Sequence, residues 1–169
     1  MRQAYAWPSD EPEHPLSTID LNARILGARL ALATKKYDNA VALADGARKL
    51  IDSQPDVADY RLWSLPAELV LGRVDLQTGK ADHAARHFDR AVALARASGD
   101  ESLNLAEALA WQARARLAVG SIEQAKASAT AARGIVQGQK TSSPVYLEPL
   151  DAYDEAVRSV KTVAGASST

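Results

Sequence analysis

The chain of 169 residues contains no cysteine. That absence excludes a disulfide framework, a cysteine-based zinc site and a cysteine nucleophile. Aromatic residues make up only 5%, with a single phenylalanine. No apolar run approaches the roughly 18 residues that a transmembrane helix needs. Neither sign of charge dominates: 20 Lys and Arg stand against 21 Asp and Glu. Such a balance gives no general attraction to nucleic acid or to an anionic membrane. The opening "MRQAYAWPSDEPEHP" lacks the apolar stretch of a signal peptide, and a cytoplasmic protein is expected. No glycine-rich phosphate loop is present.

Alanine is abundant, with 34 of the 169 residues. It has the highest helix propensity, and β-branched runs are rare, so the fold class expected is all-α with small side chains at the helix contacts. Residues 1–16 carry Pro8, Pro12 and Pro15 and read as an irregular lead-in. Residues 17–165 read as one domain of about seven helices, the first capped by Ser17 or Thr18. Breaks fall at Lys35, at "SQPD", at Gly79, at Gly99, at Gly120 and at "GQKTSSP". Pro66 either kinks a long helix or sits in the first turn of one capped by Ser64. Asp100 is the cap expected for the fifth helix.

Three segments share one register. Ala40, Ala84 and Ala125 occupy one position, Ala44, Phe88 and Ala129 lie four residues on, and Ala47, Ala91 and Ala132 lie seven on. Turns at Lys35, Gly79 and Gly120 precede by five residues, and the small residues Ala28, Gly72 and Ala113 by twelve. The offsets are 44 residues between Ala40 and Ala84 and 41 between Ala84 and Ala125. The units predicted are about 18–52, 56–98 and 100–137, with a capping helix at about 147–164. Tyr153, Val157 and Val160 give that last helix one apolar stripe.

This pattern of small, Gly, Ala, aromatic and Ala residues resembles the tetratricopeptide repeat. The middle unit carries it best, through Gly72, Gly79, Ala84, Phe88 and Ala91. The outer units lack the aromatic, and the first lacks the turn glycine. The long offsets resemble the extended units of large bacterial transcription regulators, or arrays appended to bacterial kinases. The resemblance implies a right-handed superhelix (an α-solenoid) of antiparallel helix pairs. It also implies a concave groove, lined by the first helix of each pair, that binds a peptide or partner protein. The function expected is therefore a protein–protein interaction domain, adaptor or regulatory. The alternative is a small-molecule-sensing domain of a bacterial signalling or transcription protein. No catalytic constellation, cofactor or metal is expected.

Groove positions implied by the resemblance are Arg29, Arg73 and Arg114, each one residue after the small residue. Asn22, Ile25, Leu69, Gln77 and Trp111 join them, and Leu32, Leu76 and Leu117 recur three residues after the arginines. Guanidinium groups suit acidic or carboxylate partners. The competing reading pairs these arginines with acids such as Asp75 and Glu107. Trp63 and Trp111 read as packing residues or as recognition residues. The carboxylate clamp of some family members uses Lys and Asn, and Asn22 is the one groove-side asparagine.

His83 and His87 stand four apart, a spacing that places both on one helix face. Zinc needs three or four ligands, yet the next positions on that face are Gly79 and Ala91, with Arg86 and Arg90 nearby. His14 lies far off in the lead-in. The histidines are therefore expected on the outer, solvated shoulder. Asp151, Asp154 and Glu155 read as acids at a helix start.

Overall fold

The computed structural model describes residues 18–53, 63–97, 102–141 and 143–166. They form α1 (Thr18–Ala33), α2 (Tyr37–Asp52), α3 (Ser64–Gln77), α4 (Ala81–Ala97), α5 (Leu103–Ala118), α6 (Ile122–Gly138) and α7 (Pro144–Ala166). The all-α class is as expected. Each helix packs on the next, and the three tight turns make α1–α2, α3–α4 and α5–α6 hairpins. The second helix of one hairpin packs on the first helix of the following one.

The repeat register matches the packing. Ala40, Ala44 and Ala47 are fully buried, as are Ala84, Phe88 and Ala91, and Ala125, Ala129 and Ala132. Lys35, Gly79 and Gly120 all adopt positive φ, 57°, 78° and 82°. This left-handed turn closes each hairpin, and glycine suits it because it has no Cβ. Lys35 keeps the same turn at a steric cost.

At the middle hairpin the helices meet at Gly72. A Cβ there would lie 2.7 Å from the Phe88 ring. The single phenylalanine thus fills the space that the missing side chain leaves.

Helix ends depart from expectation in three places. The fifth helix starts at Leu103, and Ser102 is its cap: the Ser102 hydroxyl accepts the Asn104 N–H at 3.1 Å. Asp100 and Ser17 lie outside the described residues. Pro66 sits in the first turn of α3, with Ser64 inside the helix and not at its cap. The last helix begins at Pro144, where a missing N–H costs nothing, and runs on through the buried Pro149.

The last helix, α7, lies against the α5–α6 hairpin, mainly on α5 and only lightly on α6. Leu150 and Tyr153 join the core there, and Val157 packs against it; the Val160 side chain lies outside the described set. Arg133 of α6 holds the flank, bonded to Asp154 at 2.5 Å and 5.9 Å from the Tyr153 ring centre. As a result α5 is buried on almost every side. Among the described residues no helix is long and apolar enough to cross a membrane.

Gly72→Ala is expected to cost about 1–3 kcal/mol, because overpacking against Phe88 outweighs the gain in helix propensity. Gly134 sits in α6 with nothing within 4 Å of a built Cβ. Gly134→Ala should therefore stabilise by up to about 1 kcal/mol. Urea unfolding of the two variants checks the opposite signs.

Candidate functional site

The site grows from the hairpin contact. A residue that follows the small crossing residue is rotated about 100° around its helix, out of the contact and onto the flank. Arg29 follows Ala28, Arg73 follows Gly72 and Arg114 follows Ala113. All three therefore emerge on the same flank of α1, α3 and α5. Arg29 is exposed, and Arg73 and Arg114 are half-buried.

Trp111 ties the row together. Its ring stacks on Phe88 with centroids 6.2 Å apart and planes 19° from parallel. The Arg73 guanidinium lies 4.6 Å from the Trp111 ring centre, and that of Arg114 lies 5.2 Å away. Both distances are within the range of cation–π attraction. Only 6% of Trp111 is exposed, so it packs and also carries the arginines.

The electrostatics of the row are self-opposing. Burial lowers the Arg73 pKa below the usual range; Glu107 and Glu148 oppose this, and Arg29 adds to it. Burial likewise lowers Arg114, helped by Arg73 and opposed by Glu148. Three guanidiniums thus share one field with two carboxylates. Glu107 is buried, and that burial raises its pKa, against the pull of Arg29 and Arg73. The indole N–H of Trp111 also favours the charged carboxylate, although it lies outside hydrogen-bonding geometry. Glu148 comes from α7, which brings an acid to the row that the chain order alone does not suggest.

Other expected groove residues divide. Gln77 is exposed and Asn22 half-buried. Ile25 and Leu69 do not line a surface, since they are 5% and 2% exposed and belong to the core. They lie one helical turn before the arginines, and their side chains turn inward between neighbouring hairpins. Leu32 is buried too, and Leu76 and Leu117 pack against the core. Trp63 is half-buried beside the first-hairpin core.

Asp75 does not pair with the arginine row. It faces the other flank of α3, 3.6 Å from His87 Nε2 and 3.9 Å from Lys80. His87 is consequently not on a solvated shoulder. Its Nδ1 donates to Glu68 at 2.5 Å, and Glu68 is buried with Arg48 and Arg90 at 3.8 and 3.9 Å. Glu68 and Asp75 stand seven apart on α3, a spacing that puts both opposite one α4 residue. His83 is exposed, as expected. Among the described residues no group of His, Asp or Glu is placed to hold a metal ion.

Compared with protein-family models and with curated proteins, the chain matches none.

Glu107 has a raised pKa in the folded state, so its contribution to stability is fully present below the unfolded value and is lost as pH rises through the folded one. Glu107→Gln removes that loss. Its stability relative to the original chain should improve as pH climbs from about 4 through the carboxylate range. Thermal melts across pH check this; parallel curves would contradict it.

Proposed function

We propose that this chain is a tetratricopeptide-like interaction domain that binds an acidic segment of a partner protein along Arg29, Arg73 and Arg114. The observation that carries the reading is that, among the described residues, Arg29, Arg73 and Arg114 share one flank and Arg73 and Arg114 feel Glu148, with the buried Glu107 beside Arg29 and Arg73. Such a row has unspent capacity for carboxylates, and guanidinium forks bind them in bidentate fashion. The Trp111 ring holds two of the three forks in place, which lowers the entropy lost on binding. Gln77 and Asn22 border the row and offer uncharged hydrogen bonds. The hairpin register and the left-handed turns support the family resemblance. A role as an adaptor, or as the regulatory part of a larger bacterial protein, follows from that resemblance.

A second reading, small-molecule sensing, draws on a cleft of about 270 Å³ between α2, α3 and α4. Tyr37, Asp45, Arg48, Asp75, Lys80 and His87 line it. Those charges are already joined in ion pairs, and the arginine row lies elsewhere, so the open surface is the better candidate.

A glutamate-rich peptide with a free C-terminal carboxylate, titrated while tryptophan fluorescence is followed, tests the proposal. Each single Arg→Ala change at 29, 73 or 114 should weaken binding about ten- to a hundredfold, in line with about 1.5–3 kcal/mol for a hydrogen bond to a charged group. Added salt should weaken it further. Equal affinity for a triple variant whose helical circular dichroism is intact would overturn the reading.

A further inference from the structure

One helix face is open. On α1, Ile19, Leu26 and Leu30 are 77%, 63% and 66% exposed. With Ala23 and Ala33 they form a stripe along a single side of the helix. The 44-residue offset of the first two hairpins maps Ile19, Ala23, Leu26 and Leu30 onto Trp63, Ala67, Val70 and Val74 of α3. There the same face is the seam between hairpins. Ala67, Val70 and Val74 are buried in the cluster that α1 and α2 supply, and Trp63 packs against it. The α1 stripe is thus a seam face that no helix among the described residues covers.

Two features point to what covers it. The far end of the stack is unsuited to head-to-tail continuation. The α2 seam residues Tyr37 and Val41 pack on the core, and the 85-residue offset to α6 puts Ile122 and Lys126 in their places. Lys126 is exposed and would set a charge against the apolar stripe. The stripe is, by contrast, complementary to itself. When two α1 helices run antiparallel about an axis through Leu26, Ile19 of each faces Ala33 of the other. Leu30 then lands beside Ala23. On either side of the central Leu26 pair, large residues meet small ones, as ridges fill grooves.

We propose that the α1 stripe is a self-association surface, on which a second copy of this chain docks its own α1 antiparallel about a two-fold axis at Leu26. The contact is isologous and closes at two copies. One helix against one helix buries less than the roughly 1,200 Å² of a stable interface, so the dimer is weak and concentration-dependent. Arg29 sits between Leu26 and Leu30 at the border of the stripe, so the two arginine rows meet at the seam.

Sedimentation velocity of the full chain over a concentration series tests the proposal. A monomer–dimer equilibrium is expected, with Leu26→Asp monomeric and unchanged in helical circular dichroism. The chain has no cysteine, so single thiols report cleanly. Leu26→Cys should form a disulfide-linked dimer on mild oxidation. Ile19→Cys alone should not, but mixed with Ala33→Cys it should cross-link. A chain that stays monomeric with a freely reactive Leu26→Cys thiol overturns the proposal. A monomer in which that thiol is shielded gives the face to a segment of its own chain and also overturns it. A dimer that survives Leu26→Asp, or a mixed pair that fails to cross-link, does the same.

Discussion

The structure depends on how closely two helices can approach where the side chains between them are small. Gly72 is the sharpest case, since its missing Cβ makes room for the ring of Phe88. Ala28 and Ala113 hold the equivalent places in the other hairpins and are fully buried. The close crossing fixes the rotation of each first helix. That rotation sends the next residue, an arginine each time, onto one common flank. A larger residue at a crossing point would displace the helix and, with it, the row.

The same contact reaches the site by a second path. Phe88, seated at Gly72, stacks on Trp111, and Trp111 holds Arg73 and Arg114. Packing and the placement of the arginines are therefore not separable at these positions. The half-burial that orders Arg73 and Arg114 also makes their charge costly, because neighbouring guanidiniums repel and desolvation weakens them. Glu107 below the row and Glu148 from α7 relieve part of that cost. The acidic partner proposed above would relieve more.

Much of this was legible in the sequence. The alanine register located the buried stripe of every second helix, and Lys35, Gly79 and Gly120 marked turns that share one backbone conformation. The repeat alignment set the arginines at equivalent positions of the three units. It failed for Ile25 and Leu69, which lie near the arginine direction but turn into the seam between hairpins, a direction set by the neighbouring unit. His87 was misplaced for a similar reason. Its environment is set by Glu68 and Asp75 on another helix, and intra-helix spacing does not reveal a cross-helix pair. Glu148 was invisible as a site residue because only the docking of α7 on α5 brings it to the row.

Arg29, Arg73 and Arg114 are proposed to act as one binding surface. Side-chain Nε–Hε signals of arginine, followed by NMR while the glutamate-rich peptide is added, test it most directly. The signals of Arg29, Arg73 and Arg114 should shift together and saturate at one peptide concentration, while those of Arg86 and Arg96 on α4 stay still. Shifts confined to α4, or different saturation points within the row, would contradict it.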